Sequence, residues 1–310
     1  MTAAAEPGDD PFLQAFLGSL RGTVDTYLTT GREDFDLQSL VLMRTESRGA
    51  ALEALLKMPI ADVRVPRALA VLPTPEAESA LWDRVSPPYP DDVRVEAAAQ
   101  RYVRSDRGRS VDVLREILES SDSPKAVGVA AATVREDPPA SLWPALRARL
   151  DDADRNVRLN CAWALRSALP LSRDRQGPRC DLLEGRLGSE LSTVRQSALS
   201  QYDRLVQDLQ AGRPVDRWME PSPPESPAFQ AFLETLRAPG GPAYDRAALG
   251  ALAGVERDRA EHMLLAAVLR RDARAPAALA FLGDFRAELL EARRRAHPAM
   301  TAAIDAVLNG

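Results

Sequence analysis

LDDADRNVRLNCAWALRSAL, residues 150 to 169, reads as a turn followed by an amphipathic helix. Asp154 is a good N-cap, because its carboxylate can accept from the free N–H groups of the next turn. It also sets negative charge at the positive end of the helix dipole. Val157, Cys161, Ala164, Leu165 and Ala168 then fall on one face of a 3.6-residue helix. Upstream, Leu142, Leu146 and Leu150 mark the buried edge of a preceding helix, and Asp151 and Asp152 begin the turn between the two. Helices joined by so short a turn lie roughly antiparallel. One such pair cannot bury both of its apolar faces, so it needs a neighbour on each side.

The same unit recurs around Asp62-Val63-Arg64, Asp92-Val93-Arg94 and Thr193-Val194-Arg195. A degenerate copy at Ser123 to Val127 has Gly128 where arginine is expected. The valines at 63, 93, 127, 157 and 194 are separated by steps of 30, 34, 30 and 37 residues. A period in this range marks stacked repeats. The spacing Asp-x-x-Val-Arg before an alanine-rich run resembles a HEAT repeat, in the short bacterial form. The resemblance implies an all-α fold, an α-α superhelix or solenoid of antiparallel helix pairs. It carries Asp154, Val157 and Arg158 into the family's roles: valine in the core, aspartate and arginine in polar ladders between repeats. It also implies that the second helix of each pair lines the inner side. Arg64, Arg94, Arg158 and Arg195 recur at one position there, either as ladder residues or as a recognition surface. Trp163, off the main core stripe, is either packed between repeats or turned to the groove.

Working outward, four segments are expected. Residues 1–49 hold N-terminal helices that cap the array, beginning with Phe12, Leu13, Phe16, Leu17 and Leu20 after an acidic, patternless start. Thr23 to Leu28 extends that helix or begins another turn. Residues 50–210 form the repeat array, punctuated by prolines between helices, with Ser172 to Arg179 as a long polar loop. Residues 211–227 carry five prolines and cannot form a continuous helix. Within them Trp218 and Met219 either dock on the helices or stand out as a binding hook. Residues 228–310 return to helical repeats. There Phe229-Gln230-Ala231-Phe232-Leu233 echoes Leu13-Gln14-Ala15-Phe16-Leu17, and the run from Asp272 through Pro276 to Gly283 resembles another HEAT unit.

Composition narrows the function. Hydrophobic residues make up 45% of the 310 positions but aromatics only 5%, which suits close helix packing. Net charge is −5, which argues against nucleic acid as a partner. Basic residues are almost all arginine; lysine occurs only at Lys57 and Lys125. No apolar run is long enough for a membrane span or a signal peptide, so a cytoplasmic protein with no membrane partner is expected. Cys161 and Cys180 have no disulfide or zinc spacing.

No reaction chemistry emerges. His262 and His297 are the only histidines, and neither starts a metal-ligand spacing or a nucleophile arrangement. Gly240-Gly241 lacks the residues of a phosphate loop. Asp91-Asp92 and Asp151-Asp152 read as helix turns, not acid–base pairs. No catalytic residue, metal or cofactor is assigned. The expected role is a non-catalytic scaffold or adaptor that binds a protein or peptide along a helical-repeat surface. The resemblance also leaves open a HEAT-like enzyme, similar to alkylpurine DNA glycosylases or phycobilin lyases. The glycosylases use a basic groove with tryptophans, and this chain offers Trp82, Trp143, Trp163 and Trp218 against an acidic balance.

Overall fold

The computed structural model describes residues 10–20, 35–104, 107–169, 171, 176–219, 224–238, 240–241 and 243–309. Among them every regular element is helical and no strand occurs. The expectations for residues 1–9, for Thr23 to Leu28 and for residues 172–175 of the polar loop lie outside the described residues. The chain forms two compact units, Met1–Ala148 and Arg149–Gly310.

The first unit contains α1 (Pro11–Ser19), α2 (Leu37–Leu42), α3 (Arg48–Leu56), α4 (Val65–Val71), α5 (Pro75–Asp83), α6 (Asp91–Arg104), α7 (Arg107–Ser120), α8 (Pro124–Val134) and α9 (Trp143–Ala148). Capping residues set the starts. Asp10, Asp36, Thr74 and Ser123 each accept from a backbone N–H in the following turn, which satisfies donors a helix leaves open. Proline stands at the first turn of α1, α4, α5 and α8, where its missing N–H costs nothing. Packing runs both to the next helix and to the next but one: α6 meets α7 and α8, and α4 meets α5 and α6. The helix expected through Leu142 and Leu146 is shorter than the pattern suggests, a 3-10 turn at Ala140–Leu142 leading into α9. Both leucines are buried.

The second unit begins with a 3-10 turn at Arg149–Asp151. It continues with α10 (Arg155–Ser167), α11 (Pro178–Leu187), α12 (Ser192–Gln210), α13 (Asp216–Met219), α14 (Pro227–Arg237), α15 (Arg246–Ala251), α16 (Gly254–Leu269), α17 (Ala275–Leu282), α18 (Arg286–Arg293) and α19 (Pro298–Leu308). In α10 the Asp154 carboxylate accepts from Asn156 and Val157 N–H, and Val157, Cys161, Ala164 and Leu165 are fully buried. Pro178 and Arg179, expected in the polar loop, instead open α11, since proline fits a helix's first turn. In the proline-rich segment α13 is a single turn packed on α11. Its Trp218 is buried, and the Trp218 carbonyl accepts from the Gly177 N–H at 2.7 Å. Residues 220–223 of that segment lie outside the described residues.

One arrangement occurs twice. α1 to α6 and α14 to α19 share six packed pairs: first with second, first with third, second with fourth, third with fourth, fourth with sixth, and fifth with sixth. The sequences agree in register. Pro11–Arg21 (PFLQAFLGSLR) and Pro227–Arg237 (PAFQAFLETLR) share seven of eleven residues, and so do Asp62–Leu72 (DVRVPRALAVL) and Asp272–Leu282 (DARAPAALAFL). The echo read from sequence is therefore part of a duplicated module, not merely two similar helices. Side-chain contacts repeat as well. Phe16 meets Phe35 edge-on at 6.2 Å, and Phe232 meets Tyr244 at 5.9 Å. Arg64 lies over Phe35 and Arg274 over Tyr244. At one place the chemistry is exchanged. In the first copy the cap of the opening helix is an acid, Asp10, hydrogen-bonded by the Ser47 hydroxyl. In the second the cap is Ser226, whose hydroxyl donates to Glu256 at 2.7 Å.

Candidate functional site

The four arginines recurring in the sequence are engaged inside the fold. Arg158 donates to the Asp152 and Ala153 carbonyls at 2.8 Å. Arg195, at the same position of the next unit, donates to the Ser189 and Glu190 carbonyls and also to the Asp151 carboxylate at 2.9 Å. That last contact joins the start of α12 to the turn that precedes α10. Arg94 reaches the Val85 carbonyl, Asp91 and Glu116. Arg64 is buried with Asp62, which it grips through Nε and a terminal nitrogen while the Arg64 N–H donates to the same carboxylate. Burial pushes the Arg158 guanidinium below its ordinary value, and Arg195 nearby adds to the effect. These side chains hold turns.

The tryptophans serve different ends. Trp218 is docked, and Trp163 stands 37% exposed on α10. The Arg101 and Arg109 guanidiniums both lie over the Trp82 ring, at 4.7 and 4.3 Å from its centroid. Trp143 donates to the Pro138 carbonyl. Burial pushes the Cys161 thiol up to about 12 and the Cys180 thiol up to about 11, so neither is a thiolate nucleophile near neutral pH. The tempting acid pairs are occupied too. Asp91 pairs with Arg94, Asp92 accepts from the Ser123 hydroxyl at 2.6 Å, and Asp152 accepts from the Asp154 N–H and pairs with Arg149. Among the described residues no group of three or more His, Cys, Asp or Glu gathers as a metal site needs. No helix among them is long and apolar enough to cross a membrane.

The open surface of the second unit lies along α16. On one side a hollow of about 830 Å³ runs between α16, Leu236 of α14 and the turn Arg270 to Arg274. On the other a hollow of about 310 Å³ is lined by Arg155 and Leu159 of α10, Gly185 and Gly188 of α11, and Glu190. Both include His262, Ala266 and Arg270, so they meet over one strip of α16. The floor is apolar: Leu159, Met263, Ala266 and Leu269. The rim is basic: Arg155, Arg270 and Arg271 are exposed, and the carboxylates among the described lining residues are Glu190 and Asp272, the latter held by Arg274.

Two side chains under this surface are fixed by their surroundings. His262 is mostly buried, and burial with Arg186 nearby lowers its pKa, so the ring is neutral at physiological pH. A side chain at Gly185 would press on it, since a Cβ there would stand 3.1 Å from Nε2. Asp272 is bound by Arg274 through Nε and a terminal nitrogen, and the Tyr244 hydroxyl donates to it at 2.9 Å. The Arg274 bonds are the main reason the Asp272 pKa falls below its ordinary value. Burial, with the bond to Asp272, raises that of Tyr244.

The sequence reading missed the rim arginines because it sought a repeating position. Their signal was the reverse: Arg270-Arg271 ends a long helix with alanines, not acids, at the positions one turn before, and stands where glycine usually follows a helix. No family model, curated protein or solved structure matches the chain.

Proposed function

We propose that this is a HEAT-like protein whose helical hairpins form a non-catalytic scaffold, and that it holds a protein partner on the second unit. The observation that carries the reading is the groove along α16. Five helices, α10, α11, α12, α14 and α16, contribute to it with the turns between them, its floor is apolar, and its rim is rich in arginine. An extended surface assembled from successive hairpins suits a partner larger than a metabolite. The repeat reading itself rests on the Asp-x-x-Val-Arg unit at Asp154, on the looser Val-Arg copies at 63, 93 and 194, and on bonds that tie one turn to another, Arg195 to Asp151 and Ser123 to Asp92.

The test uses the full chain as bait in a lysate of its source cell, with a photo-crosslinking residue at Met263. One protein, crosslinked at Met263 and not from a control position on Val103, is the expected result. A folded, monodisperse bait that retains nothing would count against the scaffold role.

A further inference from the structure

Resting on that reading, we infer that the α16 groove receives an acidic segment of a partner protein, one that alternates carboxylates with apolar side chains. Charge complementarity is the first argument. The chain as a whole is acidic at −5, yet this rim presents Arg155, Arg270, Arg271 and Arg274 against Glu190 and Asp272, and Asp272 is already held by Arg274. Elsewhere arginines of this protein usually meet a carboxylate or a carbonyl.

The duplicated module supplies the second argument, an internal control for what folding requires. Counting back from Asp272 and Asp62, Arg270 and Arg271 correspond in sequence to Ile60 and Ala61, although α3 ends at Leu56 while α16 runs on to Leu269. The first copy thus packs its turn without positive charge at those sequence positions.

Backbone geometry supplies the third. α12 and α16 end in the same way. At the end of α12, Arg213 N–H donates to the Asp208 carbonyl and Gly212 N–H to that of Leu209, with Gly212 at φ 64°. At the end of α16, Asp272 N–H donates to the Ala267 carbonyl and Arg271 N–H to that of Val268, with Arg271 at φ 71°. This left-handed position favours glycine, and any side chain with a Cβ is strained there. The second helix carries arginine at the strained place all the same.

The floor selects among anions. Leu159, Met263 and Leu269 give contacts for apolar side chains, while among the described residues no tryptophan, tyrosine or phenylalanine lines the groove. Nucleic-acid bases would find no stacking partner. His262, on the floor, has its pKa lowered by burial and by Arg186, which disfavours a fixed positive charge there for a small anion.

The experiment displays a library of random twelve-residue peptides to the full chain, with Arg155→Gln/Arg270→Gln/Arg271→Asn as counter-bait. Asparagine tolerates the left-handed backbone at 271. Enriched peptides are expected to combine Asp or Glu with Leu, Ile, Phe or Met. Their Kd should rise roughly tenfold or more in the triple variant at low salt, and the gap should narrow as salt screens the charges. Arg271→Gly alone is expected to weaken binding while leaving the melting temperature unchanged or raised. Four results would overturn the inference: no enrichment, enriched peptides without acidic bias, equal binding by the triple variant, or equally tight binding of a duplex DNA oligonucleotide. If the triple variant still retains the lysate partner crosslinked at Met263, the scaffold reading stands and the acidic-segment inference fails. If wild type retains no partner, the scaffold reading fails instead.

Discussion

Asp62 and Arg64 form a pair whose two side chains are almost wholly out of water. Hydrogen bonds and a ring beneath the guanidinium compensate for the lost hydration, so removing Asp62 takes the carboxylate counter-charge from a buried guanidinium. Asp62→Ala is expected to cost about 3–5 kcal/mol in urea unfolding. The matching Asp272–Arg274 pair is more exposed, and Asp272→Ala should cost less, roughly 1–3 kcal/mol. Equal losses would contradict the difference in burial. His262 makes a prediction in pH. Its folded pKa lies below the ordinary 6.5, so the unfolded chain binds the proton more readily. Stability from this group is complete above the ordinary value and falls as pH drops through it toward the folded pKa. Between about pH 7 and pH 5, His262→Gln should flatten the stability curve; an unchanged slope would show that burial does not perturb the ring.

At the scale of elements, local chemistry explains most helix starts, and that part was legible in sequence. Asp154 announced its helix and the prolines marked the breaks between helices, although Pro178, expected in a loop, opens α11. α12 is the exception. Leu191 stands at its cap position and has no side-chain acceptor to offer. The Glu291 carboxylate from α18 accepts from Ser192 and Thr193 N–H at 2.7 and 3.0 Å instead. Burial opposes the charge on Glu291, but these donors hold its pKa below the ordinary value. A cap supplied from 98 residues away cannot be read from a local pattern. Glu291→Ala is expected to cost roughly 1–2 kcal/mol and to speed amide exchange in the first turn of α12. Exchange confined to α18 would show that the cap is not formed. The rim of the α16 groove was illegible for a related reason. Arg155 and Arg270 are far apart in sequence, and only the packing of α11 on α16 gives them a common floor.

At the scale of the whole chain, the helical class followed from period and composition, with strands absent among the described residues as expected. The duplicated module was half visible: the echo of Phe16 in Phe232 could be seen, but its meaning needed the repeated packing of six helices. Of the two readings of the repeated arginines, ladder residue or recognition surface, their bonds to turn carbonyls and carboxylates fit the first. Arg64, Arg94, Arg158 and Arg195 hold turns, whereas Arg270 and Arg271 sit where the two copies differ.

The proposed row of hairpins, each closed by its neighbours, is tested most directly by hydrogen exchange on Leu165→Ala. Leu165 is fully buried on α10, and its truncation should cost about 3 kcal/mol. In a repeat array such a loss stays with the damaged hairpin and those beside it. Faster exchange in α10, α11 and α12, with α17 as protected as in wild type, is the expected result. An equal rise in every helix from Arg155 to Leu308 would mean one closed core and would contradict the stacked-hairpin reading.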